Sequence, residues 1–292
     1  MGSAELAQYL VAGLKSGAIY ALVALGFTLV YGSTGIVNFA QGEFFMLGGV
    51  LSVFFYGLGL PLPLAGLLGV LATASVGIAF ERLALRPRRD AGPLVLIIIT
   101  IGGSMVLKSL ARHAFGPNEL TLPEFTPGPS FDIAGVAIER QALWVWGLTI
   151  AAVVAITWLY RKTRFGRSMR ACSLSHEAAR LMGVDTARVV MVSFGLAAAL
   201  GALAGLAVTP LTQTGWDVGA GAGLKGFAAA ILGGLGNPVA AVVGGLVLGL
   251  LESLSIAFIS STYKDAISLL VLLVVLFVRP QGILGRARRE KV

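Results

Sequence analysis

Two polar clusters interrupt a chain made mostly of hydrocarbon. Asn38-Phe39-Ala40-Gln41-Gly42-Glu43 sets two amides and a carboxylate between two long apolar runs. An ionisable side chain at membrane depth is costly unless it faces a cavity or a partner. Such a cluster suits the reversible handling of a polar solute rather than the making of bonds; the competing reading is a polar turn with Glu43 facing head groups. The second cluster, Glu177-Ala178-Ala179-x-x-x-Gly183, lies in the basic stretch RKTRFGRSMRACSLSHEAARLMGVDTAR, residues 161 to 188. Ser173 or Ser175 can cap a helix here, Glu177 favours its first turn, and Gly183 ends it. Ala178, Ala179, Leu181 and Met182 give that helix a small, mixed surface of the kind that enters a groove. A helix lying flat on lipid is the alternative.

Covalent chemistry has no foothold. His113 and His176 fall in loops on opposite sides of the membrane, H-E-x-x-H and G-x-S-x-G do not occur, and no carboxylate pair is spaced for acid–base work. Cys172 is the only cysteine, which excludes an intrachain disulfide and a cysteine-rich metal site. Gly221-x-Gly223-x-x-Gly226 spells the dinucleotide fingerprint but lacks its preceding strand, and Lys225 is not set in a phosphate-binding loop. These glycines are expected instead to unwind the start of a helix near the outer face. Lys15 and Lys225 are expected to snorkel to the interface, and Glu81 and Glu252 to cap helix ends or pair with nearby arginines.

The elements that must position these residues follow from composition. Apolar residues make up 57% of the 292 and charged residues 12%, with a mean hydropathy of +0.87. Ordinary soluble chains are about 25% charged. The charges crowd into loops and leave apolar runs long enough to span a bilayer, near 6–31, 42–59, 62–82, 94–112, 142–160, 189–209, 224–236, 238–258 and 264–279. Continuous runs such as 94–106 do not alternate, which excludes a barrel and leaves helices. The expected fold is therefore an all-α polytopic membrane protein, a single transmembrane domain over residues 1–292. It has eight or nine transmembrane helices, some short or broken; the run 224–236 is the weak one. The N-terminus has no basic region or small-residue cleavage site, so no removable signal peptide is expected.

Lysine and arginine set the orientation. Arg82, Arg86, Arg88 and Arg89, the stretch 161–188, and Arg279, Arg286, Arg288, Arg289 and Lys291 belong in the cytoplasm. The connection 113–141 has Arg140 against four carboxylates and four prolines, and reads as an outer loop or small hairpin. The C-terminus is then cytoplasmic and the N-terminus outside. The net charge of +8 serves topology and anionic lipid rather than nucleic acid. Phe44-Phe45-Met46-Leu47-Gly48-Gly49 echoes Ala229-Ala230-Ile231-Leu232-Gly233-Gly234, each followed by proline and an apolar helix carrying a glutamate. Read as an internal repeat, this fits transporters that carry their pathway between two halves; chance recurrence of Leu-Gly text is the other explanation. Asn38, Gln41, Glu43, Gly48, Gly49, Gly233 and Gly234 are the residues expected along such a path. Gly13-x-x-x-Gly17, Gly201-x-x-x-Gly205 and Gly245-x-x-x-Gly249 are expected mainly to let helices pack closely.

Glu177-Ala178-Ala179-x-x-x-Gly183 resembles the EAA loop of bacterial ABC-importer permeases, whose short coupling helix sits on an ATPase subunit. Thr163-Arg164-Phe165-Gly166-Arg167-Ser168-Met169-Arg170-Ala171 resembles the branched-chain amino acid permeases of the LivH type. So do Gly17-Ala18-Ile19-Tyr20-Ala21-Leu22 through Gly26-Phe27, the 38–43 block, and Arg279-Pro280-Gln281-Gly282-Ile283-Leu284-Gly285. The resemblance covers nearly the whole chain. It implies a permease subunit, not an enzyme, of an importer in the bacterial inner membrane that works by alternating access. The implied cargo is branched-chain or other hydrophobic amino acids. Partners implied are a second, homologous permease in a heterodimer, two ATPase subunits that hold ATP and Mg, and an extracytoplasmic substrate-binding protein. This chain would bind no cofactor itself. Arg167, Arg170, Ser173, Glu177, Ala178, Ala179 and Gly183 would form the ATPase contact. Urea, short amides or a simple sugar as cargo, and a self-contained secondary carrier, remain alternatives.

Overall fold

Each of the nine apolar runs is a helix. The computed structural model describes residues 2–89, 91–133, 135–279 and 281–285; Pro280 and the tail charges Arg286, Arg288, Arg289 and Lys291 lie outside them. In chain order the helices are α1 (Ser3–Thr34), α2 (Gln41–Gly57), α3 (Leu62–Phe80), α4 (Pro93–Phe115), α5 (Arg140–Lys162), α6 (Arg164–Leu174), α7 (His176–Leu181), α8 (Thr186–Thr212), α9 (Val218–Gly233), α10 (Pro238–Phe258) and α11 (Lys264–Val278). Seven helical segments are long and apolar enough to cross a membrane, those built on α1, α3, α4, α5, α8, α10 and α11. The fold is polytopic and all-α. Two apolar helices outside that set, α2 with 17 residues and α9 with 16, reach about 25 Å at 1.5 Å per residue, against a hydrocarbon core of about 30 Å.

Beyond α3 the helix widens into a π turn, Glu81–Leu85. The connection between α4 and α5 contains the expected hairpin, β1 (Phe131–Ile133) antiparallel to β2 (Val136–Ile138). Gln8 pins it to α1: its side-chain amide donates to the Ala137 carbonyl at 3.0 Å and accepts from the Ala137 N–H at 2.9 Å.

Packing is duplicated, and the halves exchange partners. The long helix α1 lies against α10 and α9 of the second half, while α8 lies against α2 and α3 of the first. α1 and α8 touch each other, and so do α2 and α9. Lipid offers no hydrophobic drive between helices, so close contact depends on small residues. Gly13 and Gly17 of α1 face Gly249 and Gly245 of α10, and Gly201 and Gly205 of α8 face Phe44 and Phe45 of α2. All three G-x-x-x-G pairs thus serve packing within the chain.

Two expectations change here. Gly219, Gly221, Gly223 and Gly226 lie inside α9, whose helix is not unwound. Three of them let it approach its neighbours: a methyl group at Gly219 or Gly223 would meet Gly42 of α2, and one at Gly226 would meet Val23 of α1. The 44–49 and 229–234 blocks are also not structural equivalents. Gly48–Gly49 sit in the middle of α2, whereas Gly233–Gly234 end α9. The packing instead matches Gly42 with Gly219, each the second residue of its short helix. Small residues recur wherever helices touch, so their letters alone do not fix a register.

Candidate functional site

The hinge between α1 and α2 is buried, and so are its polar side chains. Asn38 and Gln41 are fully buried and Glu43 is 2% exposed. The Asn38 Oδ1 accepts from the Ala40 N–H at 3.1 Å, a local turn that starts α2. Gln41 Nε2 donates to the Ala197 carbonyl of α8 at 2.9 Å, and the Ser104 hydroxyl of α4 donates to Glu43 Oε1 at 3.0 Å. Each residue keeps one buried polar atom with no hydrogen-bond partner among the described residues: Asn38 Nδ2, Gln41 Oε1 and Glu43 Oε2. Native chains leave few such atoms, so three within six residues mark this hinge.

Glu43 lies in the first turn of α2 and beside Gly219 at the start of α9; a methyl group at Gly219 would lie 2.5 Å from its Oε2. The first turns of two helices therefore converge on one buried carboxylate. The Phe39 N–H also donates to Thr100 Oγ1 of α4 at 3.1 Å, so α4 reaches the hinge at two points.

The other expected path residues are elsewhere. Gly48 is pressed against Ala202 of α8, and Gly49 faces the hydroxyls of Thr209 and Thr214. Gly233 and Gly234 belong to the α9–α10 turn. There Ile283 N–H donates to the Leu232 carbonyl at 2.8 Å and Leu284 N–H to the Gly233 carbonyl at 3.0 Å. Residues 281–285 thus supply partners for the open carbonyls at the end of α9. The structure brings Asn38, Gln41 and Glu43 together and leaves both glycine pairs apart from them.

The basic stretch folds as a helical hairpin on the chain's edge. Thr163 Oγ1 caps α6 by accepting from Gly166 N–H at 3.1 Å, and α6 buries Gly166, Met169 and Cys172. Of the two serines, Ser175 is the cap of α7, accepting from Ala178 N–H at 3.2 Å; Ser173 lies in α6 and donates to the Arg170 carbonyl at 2.8 Å. Gly183 closes α7 at φ +80°. Gly183 N–H donates to Arg180 and Val184 N–H to Ala179, both at 3.0 Å, the left-handed ending that glycine tolerates best. Ala179 is the buried anchor at 4% exposure, while Leu174, Leu181 and Met182 are each 84% exposed. Arg167, Glu177 and Ala178 are also exposed. Arg170 turns inward, donating to the Tyr160 carbonyl and lying 5.8 Å from that ring. The Cys172 thiol is buried, and burial pushes it above its ordinary range; it is a poor handle for cross-linking. A cavity of about 1200 Å³ opens beside this hairpin, between the end of α1, the end of α5 and the α9–α10 turn.

A second polar cluster escaped the sequence reading. Lys225 of α9 does not reach for an interface. It pairs with Glu252 of α10 at 2.7 Å and with Asp265 of α11 at 2.9 Å, and the Tyr20 hydroxyl of α1 donates to the other Glu252 oxygen at 2.6 Å. Glu252 meets a lysine rather than the nearby arginines, because α9 carries Lys225 past it. Lys15 pairs with Glu139 at the start of α5, at 2.6 Å. Glu81 is buried in the π turn, with one oxygen unpartnered among the described residues. The signal for the Lys225 network was three charges in otherwise apolar helices; their partnership is long-range and absent from local pattern.

Comparison with known proteins agrees with this architecture. The family model described as branched-chain amino acid transport system / permease component matches residues 9–276. The chain is 37% identical over 300 residues to the high-affinity branched-chain amino acid transport system permease protein LivH of Escherichia coli K12, covering 98% of this chain and 97% of that one. It is 34% identical, with the same coverage, to the permease protein BraD of Pseudomonas aeruginosa. A more distant relative is the ribose import permease protein RbsC of Escherichia coli K12, 24% identical over 91% of this chain and 83% of that one. The chain therefore belongs to the family of branched-chain amino acid transport system permease components.

Proposed function

We propose that this chain is one of two permease subunits of an ATP-driven importer for branched-chain and other hydrophobic amino acids in the bacterial cytoplasmic membrane. It works as a single transmembrane domain, with the N-terminus outside and the C-terminus and residues 161–188 inside. ATP and Mg are held by two partner ATPases, and a binding protein delivers cargo at the outer face. The partner permease is a homologue in a heterodimer. Apolar side chains left exposed on α4, α5 and α11, such as Met105, Ile150 and Phe277, meet lipid or that partner.

The observation that carries the reading is α7. Leu181 and Met182 stand 84% exposed on a segment that is capped at Ser175, closed at Gly183 and anchored through Ala179, and Leu174 at the end of α6 is equally exposed beside the cap. Apolar side chains held out on a rigid hairpin suit docking into a groove. Closure of the ATPases would push on this hairpin and, through α6 and α8, on the exchanged helices that hold the hinge. Glu177 and Arg167 rim the contact, while Arg170 and Ser173 support it from within α6.

The double substitution Leu181→Asp, Met182→Asp tests this. The altered chain should insert and express normally, yet capture of the ATPase subunits by the tagged permease should fall at least about tenfold, the loss of a hot-spot contact. Undiminished capture would remove α7 from the ATPase interface.

A further inference from the structure

α4 is among the least covered of the long helices, yet it carries Thr100, Ser104, Lys108 and Arg112 at strict four-residue steps through its apolar text. That spacing aligns them along one side of the helix. They span about 18 Å at 1.5 Å per residue, from the hinge to the outer end of α4. Thr100 accepts from Phe39 and Ser104 donates to Glu43 Oε1. The two cations lie over one aromatic face: Lys108 Nζ is 4.9 Å and the Arg112 guanidinium 4.6 Å from the centre of the Trp216 ring. Among the described residues neither cation makes an ion pair. Two like charges one turn apart destabilise a helix; Arg112 is exposed in the last turn of α4, while Lys108 stands a turn deeper, where a cation normally finds a carboxylate. Glu43 is the opposite charge that acts from below, one step down the stripe beside Ser104, and its Oε2 remains unpartnered among the described residues. The stripe therefore presents, among the described residues, an unpartnered acceptor at its inner end and two cations that make no direct ion pair at its outer end.

We propose that this stripe is a binding track for a zwitterionic amino acid, with the ammonium group received by Glu43 Oε2 and the carboxylate by Lys108 and Arg112. Lys108 lies one helical step, about 6 Å of rise, beyond the Ser104 that holds Glu43, so the two opposite charges face neighbouring turns of α4. Trp216 holds the cations in place by their attraction to its ring face and roofs the outer end. The proposal rests on the importer reading above and locates its cargo.

The test uses the complete transporter, both permeases with ATPases and binding protein, in proteoliposomes. Ser104→Cys is treated from outside with an anionic and a cationic methanethiosulfonate; the buried Cys172 stays silent. The anionic reagent should react faster, by about tenfold, the local enrichment expected near fixed cations. Binding protein loaded with L-leucine should slow the reaction, and adding Lys108→Gln should erase the preference. In parallel, Glu43→Gln and Lys108→Gln should each lower kcat for L-leucine uptake by at least about tenfold, with KM for the loaded binding protein and the melting temperature unchanged. If the wild-type complex takes up L-leucine while Ser104→Cys resists both reagents, or while both charge variants transport normally, the stripe only packs and the proposal falls. If the wild-type complex takes up no L-leucine, the importer reading falls and takes the stripe with it.

Discussion

Lys225 shows what a single charge does inside this bundle. It is shared between Glu252 and Asp265 at 2.7 and 2.9 Å and lies over the Tyr20 ring at 5.5 Å, so one ammonium group joins α9, α10, α11 and α1. Removing one partner of a buried pair leaves the other charge uncompensated, at a cost of about 3 kcal/mol or more. Lys225→Met should accordingly lower the detergent-solubilised melting temperature by several degrees. Lys225→Met with Glu252→Leu should recover most of the loss, because the stranded carboxylate is gone; a double variant as unstable as the single one would contradict this account. Residue by residue, what was legible in the sequence was local. Ser175 and Gly183 announce the ends of α7 through chemistry that acts within three or four positions. Glu177 and Ala179 follow from that helix. The Lys225–Glu252 pair spans 27 residues and the Glu43–Ser104 bond 61, and nothing in the intervening text reports them. Arg170 looked like a surface anchor because its charge is visible in the text and its Tyr160 contact is not.

Helices were readable by hydropathy, and their contacts were readable only as a class. The G-x-x-x-G pairs promised close packing, and α1 and α10 deliver it with both of theirs interlocked. A bulky residue there must push two backbones apart, whereas overpacking costs of about 1–3 kcal/mol arise even in more forgiving cores. Gly249→Val should therefore lower the melting temperature clearly. Gly147→Val, on an exposed stretch of α5 with no atom within 4 Å of the added carbon, should leave it unchanged. Equal effects from the two would deny the α1–α10 crossing its part in stability. The glycine run of α9 was harder to read. Glycine both weakens a helix and permits close approach, and only the neighbours Gly42 and Val23 decide between the two. The same ambiguity hid which glycines meet between the halves, since Gly42 and Gly219 touch but have different immediate neighbours in the sequence.

At the scale of the molecule, composition alone excluded a soluble fold, and the nine apolar runs map one to one onto helices. The exchange of halves, α1 with α9–α10 and α8 with α2–α3, could not be read from the sequence, because it is a property of assembly rather than of any segment. It bears on mechanism: α2 and α9 meet at their first turns beside Glu43, so movement of either half must pass through the hinge. α7, cytoplasmic in the proposed topology, is joined to α8 by four residues, and α8 in turn contacts α2 through Gln41. The proposed coupling hairpin and the buried hinge are thus linked by one helix. The most direct measurement is L-leucine uptake into proteoliposomes holding the complete transporter, with ATP inside and loaded binding protein outside. The account predicts uptake that requires ATP and the ATPases and is abolished by Leu181→Asp, Met182→Asp, while the permeases remain inserted. Uptake that persists in that variant, or that the permease alone sustains on an ion gradient without ATP, would contradict it.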